Sequence, residues 1–314
     1  MKKIYFLVGV ILLAAPKLFA QVVERATIDT IKTIHIDSVI NITRGRLTAE
    51  DFIREVVNDT SFYKAFRMMK KYEFIAENSL YSYDKQNKVT GSMYRKIKHS
   101  NDTKGHNMQY LAQNDSGELK KKNGKYKLTT VEMFDYIFMN AYNSDFVPNA
   151  EVSSVKGIGS NEGIKDKLKT LIFNPGRPIK GVPFISNKTQ IFSANMRQYY
   201  DYTFYRGNYL DSIPVYWFKV TVKPDLTKGT KDGLMIKELT TLFDARNFNI
   251  LGRAVDMKLN NFAFDFDVKM NIEMAYFGEE KLPTKISYQG NWDIPLKKEE
   301  KVSFLVLHKD YKLE

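Results

Sequence analysis

Residues 262–276 read Phe262-Ala263-Phe264-Asp265-Phe266-Asp267-Val268-Lys269-Met270-Asn271-Ile272-Glu273-Met274-Ala275-Tyr276. Every even-numbered position is large and apolar, and the odd ones are small, charged or amide. Successive side chains on a strand point to opposite faces, so this run builds one apolar face and one wet face. At ~3.3 Å per residue it would extend roughly 50 Å, longer than a usual strand, and a strand of that length belongs to a strongly curved sheet or barrel wall.

The same period recurs on both sides. Tyr200, Tyr202 and Phe204 alternate, as do Tyr216, Phe218, Val220 and Val222, then Leu251, Arg253, Val255, Met257 and Leu259. Thr284 to Tyr288 and Val302 to His308 close the pattern. Nearer the N-terminus, Tyr72, Phe74 and Ala76 alternate with Glu73 and Glu77, and Met93 to Lys98 and Asn107 to Ala112 read as further strands. Asn123-Gly124, inside Gly117 to Tyr126, is a hairpin turn signal.

Three helices interrupt this. Thr48 and Asp51 have capping-box spacing ahead of Phe52, Ile53, Val56 and Val57, and after Asn58-Asp59-Thr60 a second short piece carries Phe62, Phe66 and Met69. Thr129 and Glu132 repeat the spacing before a helix from about Val131 to Tyr142. Phe134, Ile137 and Phe138 help make that helix apolar almost all round, so it must be buried or cover an apolar surface. A third helix is expected at 163–173, after a long loop from Asn143 to Gly163. The expected fold is α+β: one large, curved, mainly antiparallel sheet, an open half-barrel, with a few helices packed in or on its concave face.

The first twenty residues have a basic start (Lys2, Lys3), an apolar stretch from Ile4 to Ala15 and a small residue, Ala20, before Gln21. This is the layout of a secretory signal peptide cleaved near Ala20, and the apolar run is short for a membrane span. The chain is therefore expected to be exported, to the periplasm or envelope. Residues 21–47 read as an arm or added strand, and 48–314 as a single β-rich domain. There is no cysteine. That excludes disulfides, thiolate metal sites and a lipoprotein anchor. The net charge is +12, and the signal holds Lys2, Lys3 and Lys17 with no acid, so the mature chain carries +9. A basic surface suits anionic partners or plain solubility, and export argues against nucleic acid.

Motifs for chemistry are sparse. His35, His99, His106 and His308 lie far apart and read as isolated surface histidines. Gly157, Gly159 and Gly163 miss a dinucleotide fingerprint by one place. Asp265 and Asp267 share a strand face and could act as paired carboxylates of a glycan or lipid hydrolase. The same row is also what the solvent face of an amphipathic strand looks like. No cofactor and no catalytic residue is expected. Phe and Tyr total 40 residues. They form either an ordinary core or the wall of an apolar cavity. The candidate lining is Phe262, Phe264, Phe266, Val268, Met270 and Ile272 from the sheet, with Phe134, Ile137 and Phe138 from the helix as plug or lid.

Tyr199-Tyr200-Asp201-Tyr202, Ile213-Pro214-Val215-Tyr216-Trp217-Phe218-Lys219-Val220 and Tyr288-Gln289-Gly290-Asn291-Trp292 sit in long one-faced strands. With the helices, they resemble the LolA/LppX-like superfamily of envelope lipoprotein and lipid carriers. The pattern is also similar to exported proteins of Bacteroidota-type bacteria. The resemblance implies an unclosed barrel plugged by helices, and a lipid or lipoprotein cargo between the two. The alternative is a structural or interaction module with a solid aromatic core that recruits an outer-membrane or envelope protein.

Overall fold

The computed structural model describes residues 47–102, 105–139, 176, 188–260, 265–293 and 299–313. The expected signal peptide, all of the expected arm but Leu47, the loop from Asn143 to Gly163, the helix at 163–173, and Phe262 and Phe264 lie outside these residues.

Among the described residues, ten strands form one open antiparallel sheet. They are β1 (Tyr72–Tyr83), β2 (Val89–Asp102), β3 (Gly105–Gly117), β4 (Tyr200–Tyr209), β5 (Ile213–Val222), β6 (Ile236–Asp244), β7 (Ile250–Asn260), β8 (Asp265–Phe277), β9 (Glu280–Asp293) and β10 (Glu300–Leu313). Their order is β3-β2-β1-β10-β9-β8-β7-β6-β5-β4. The pairing of β1 with β10 joins the N-terminal meander to the rest. The expected α+β class is the one observed. Several strands are longer than their clearest sequence signals, because polar residues such as His106 and Ser116 continue a ladder that backbone groups hold.

The helices occupy one face. Helix α1 (Ala49–Asn58) and α2 (Ser61–Met68) are consecutive. The Asp51 carboxylate accepts from the Thr48 N–H and hydroxyl, both at 2.8 Å, so the box works chiefly through its acid. Asp59 starts α2 by accepting from the N–H groups of Ser61 (2.9 Å) and Phe62 (3.1 Å). Phe52 is fully buried among five rings: Phe204, Phe218, Tyr216, Phe243 and Phe248, with centroids 4.7–5.8 Å away. One aromatic thus ties α1 to β4, β5 and β6.

The other face carries a second, smaller apolar cluster, Tyr209, Val215, Leu242 and Leu251, and is otherwise rich in charge. Lys96 pairs with Glu77 (3.2 Å), Lys285 with Glu273 (3.5 Å), Lys269 with Asp256 (3.2 Å) and Lys258 with Asp267 (2.8 Å). Each of these pairs sits directly opposite in the ladder. Exposed pairs are worth at most about 1 kcal/mol each. Their significance is placement: opposite charges sit directly across from each other on this side of the sheet.

Two histidines expected at the surface are buried. Phe74 and Ala76 face inward on β1, and the registers set His99 opposite Phe74 and His308 opposite Ala76, so both imidazoles point into the core. The His99 ring stacks on Phe74 at 4.6 Å, and His308 meets that ring edge-on at 5.4 Å. Burial pulls His99 down to about 3 and His308 down to about 4. The unfolded chain takes up protons at these rings below pH 6.5 while the folded chain does not. Their stability contribution is thus complete above 6.5 and is lost as pH falls towards 4 and 3, by up to about 1.4 kcal/mol per pH unit for each ring. Denaturant titrations at pH 7.5, 6 and 5 should show this decline, and a His99→Leu/His308→Leu variant should flatten it. A wild-type profile already flat over that range would contradict the assignment.

Candidate functional site

The described sheet residues of the expected lining share the helix-bearing face. Phe266, Val268, Met270 and Ile272 lie on alternate positions of β8 and are 1–5 % exposed. Register places Trp292, Gly290, Tyr288 and Ile286 of β9 opposite them, in that order. Phe134, Ile137 and Phe138, each 2–3 % exposed, belong to the same apolar cluster.

A row of stacked rings joins the two groups. Phe266 stacks on Trp292 at 5.0 Å, and Trp292 Nε1 donates to the Tyr288 hydroxyl at 2.8 Å. Tyr288 lies parallel to Phe304 of β10 at 4.7 Å, and Phe304 meets Phe134 at 4.4 Å and Phe138 at 5.4 Å. Stacked and tilted pairs at such distances each contribute beyond their area. Burial pushes the Tyr288 hydroxyl up, so it stays protonated. Gly290 makes the row possible. The Tyr288 ring lies along its own strand over Gly290, where any Cβ would collide with the ring and hydroxyl.

The helix completing the row differs from its expected form. Helix α3 (Thr129–Phe134) passes into a π-helical turn, Asp135–Met139. The extension to Tyr142 lies outside the described residues. The expected Thr129–Glu132 capping box is not what caps this helix. The Glu300 carboxylate, from the start of β10, accepts from the N–H of Thr129 (2.8 Å) and the N–H and hydroxyl of Thr130 (both 2.7 Å). An acid across the fold satisfies the free N–H groups of the first turn and fixes α3 over Phe304. Single-turn π elements inside helices are frequent at functional sites.

Two buried cations lie beside α2 on the same face. Lys281 of β9 donates to Ser61 Oγ (3.0 Å) and to the Ile250 carbonyl (2.9 Å). Burial lowers its ammonium to about 8 against the opposing pull of Asp59. The Arg253 guanidinium sits 4.5 Å over the Phe62 ring, and burial lowers it to about 10. The alternation of 251–259 already sets Arg253 on the apolar face, which is the available sequence signal. Nothing local marks Lys281.

The carboxylates considered for hydrolysis lie on the outer face. Asp267 pairs with Lys258, and Asp265 accepts from Asn260 Nδ2 at 3.0 Å. Among the described residues, no group of three or more His, Asp or Glu side chains could hold a metal ion.

No protein-family model matches the chain, and no curated protein matches it in sequence. A crystal structure of a DUF1329 family protein from Desulfovibrio piger is similar to it over 81 % of this chain and 90 % of that one, at 9 % identity and a TM-score of 0.25. At that TM-score the likeness carries no functional argument.

Replacing Gly290 by Ala should drive Tyr288 off its strand, break the Trp292 bond and cost about 1–3 kcal/mol, as overpacking does. Tyr288→Phe, which loses only one hydrogen bond, should cost about 1 kcal/mol. Tryptophan fluorescence and thermal melts report both. Equal, small effects from the two variants would disprove the packing described.

Proposed function

We propose that this protein is a non-catalytic carrier or scaffold, which shelters an acyl chain or an apolar polypeptide segment between the sheet and its helices. The observation that supports this best is the division of cover on the apolar face. Helices α1 and α2 pack against β4, β7 and β9, whereas α3 packs on β10. The aromatic row from Phe266 leads to Phe134 and Phe138 of α3, whose described part ends in a π-helical turn and whose first turn the Glu300 carboxylate caps. Exchanging such a plug for an apolar guest preserves most of the contacts that the rings make.

Export through the N-terminal signal fits this reading. It makes lipid or lipoprotein the candidate cargo and an outer-membrane or envelope protein the candidate partner, and it argues against nucleic acid. No cofactor is part of the proposal. A second reading, a structural or interaction module with a solid core, is favoured by one specific observation. At 1–5 % exposure, Phe266, Val268, Met270 and Ile272 leave no room for water beside them.

Met270→Lys beside Asp267→Asn separates the readings. For a carrier, the charge at Met270 should abolish retention of lipid in native mass spectrometry of protein purified from its own envelope, with a modest drop in melting temperature. A solid core should instead fail to fold around the buried charge. Asp267→Asn should be nearly silent in both, removing only a surface ion pair. A folded Met270→Lys variant that keeps its lipid, or wild-type protein that never carries any, would defeat the carrier.

A further inference from the structure

Asn78 stands at an inward position of β1, in step with Phe74, Ala76 and Leu80, and is 1 % exposed. Among the described residues, neither its Oδ1 nor its Nδ2 has a hydrogen-bond partner. A dry, unpaired amide is costly, and native cores hold few. The ladder explains why the sheet does not satisfy it. On one side Asn78 faces Val306, which has no polar side-chain atom. On the other it faces Arg95, whose guanidinium is engaged elsewhere. Arg95 donates to the Tyr94 carbonyl (2.7 Å) and to the Asp115 carboxylate (2.7 Å) on the neighbouring edge strand.

A further unpaired atom lies next to it. His308, 5 % exposed, is the diagonal neighbour of Asn78 across the β1–β10 ladder, a spacing of about 7–8 Å between Cα atoms. Its Nδ1 lies 3.2 Å from the Pro283 carbonyl, so the ring proton sits there. That leaves Nε2 as an acceptor, and it too has no partner. On the opposite diagonal from Asn78 is Phe304, the ring that joins the aromatic row to Phe134 and Phe138. The unpaired polar atoms therefore adjoin the end of the apolar row.

We infer that Asn78 and His308 receive the polar head of the guest, a neutral group in which a carbonyl stands next to a hydroxyl, while the acyl chain behind it lies along the row from Phe304 to Phe266. The inference rests on the carrier reading and specifies its cargo. Asn78 Nδ2 donates to the carbonyl, and Asn78 Oδ1 and His308 Nε2 accept from the hydroxyl. An ionised carboxylate fits poorly. It would bring only acceptors to these two acceptors, and the neighbouring cation, Arg95, is already paired with Asp115. A head without a donor leaves Oδ1 and Nε2 as unpaired as before. Sites built from buried polar groups discriminate strongly against ligands that leave those groups unpaired. A single-chain acylglycerol and the acyl amide of a small amino alcohol share the required chemistry.

Calorimetric titration of the delipidated mature chain with four probes of equal chain length tests this: monodecanoylglycerol, decanoyl ethanolamide, methyl decanoate and decanoate, all at pH 7.5. The first two should bind roughly tenfold tighter than the last two, and the tighter of them identifies the ester or the amide as the source. Asn78→Leu removes the amide at nearly equal volume. It should fold, melt no lower than the wild type, and lose the advantage of the hydroxylated probes over methyl decanoate. A wild type that binds all four probes alike would overturn the inference and leave the carrier reading standing, with Asn78 holding a buried water only. An Asn78→Leu variant that keeps the preference would overturn it in the same way. Binding of none of the four would remove the carrier reading and this inference together.

Discussion

The pleat of the sheet is the constraint on which the rest depends. Each strand must send alternate side chains to opposite faces, and in this chain those alternate positions differ sharply in chemistry. On β8, Phe266, Val268, Met270 and Ile272 go one way, and Asp265, Asp267 and Lys269 go the other. The apolar face then has to be covered, and α1, α2 and α3 pack into its cluster. Full burial of a side chain such as Phe52 is worth about 1.5–3 kcal/mol. Its five-ring setting shows why α1 sits over β4 to β6.

The core is not uniformly apolar, and its polar members have physical consequences. Arg253 and Lys281 lie on the inner face with Asp59 near both, and they fix α2 through Phe62 and Ser61. Buried charges of this kind seldom add net stability over well-packed apolar residues, but removing one member of such a group is costly. They act as specific anchors for one helix position. Glu300 does the same for α3 from the surface end of β10. The two helical units are therefore held by different polar contacts on different strands.

Much of this was legible in the sequence wherever the signal was local. The period-two strands, the helix after Thr48, the break at Asn58 to Thr60 and the Asn123-Gly124 turn each depend on residues a few positions apart. The readings that depended on distant partners failed. Glu300 lies about 170 residues from the helix it caps, so the local Thr129–Glu132 spacing was an attractive but wrong substitute. His99 and His308 read as surface residues because their burial follows from both strands flanking β1, and pairing of the first strand with the last leaves no mark in composition. Of the site, Phe266, Val268, Met270, Ile272, Phe134, Ile137 and Phe138 could be named from periodicity. Trp292, Tyr288 and Phe304, which join them, could not, because only the register of β8, β9 and β10 brings them into line.

The central claim is that the apolar face can exchange part of its helical cover for an apolar guest. Thermal unfolding of delipidated mature protein across a series of saturated fatty acids of increasing chain length tests it most directly. The account predicts stoichiometric binding and a melting temperature that climbs with each added methylene, at about 0.8 kcal/mol per buried CH₂ until the row is covered. A melting temperature independent of chain length, with no stoichiometric binding, would contradict it.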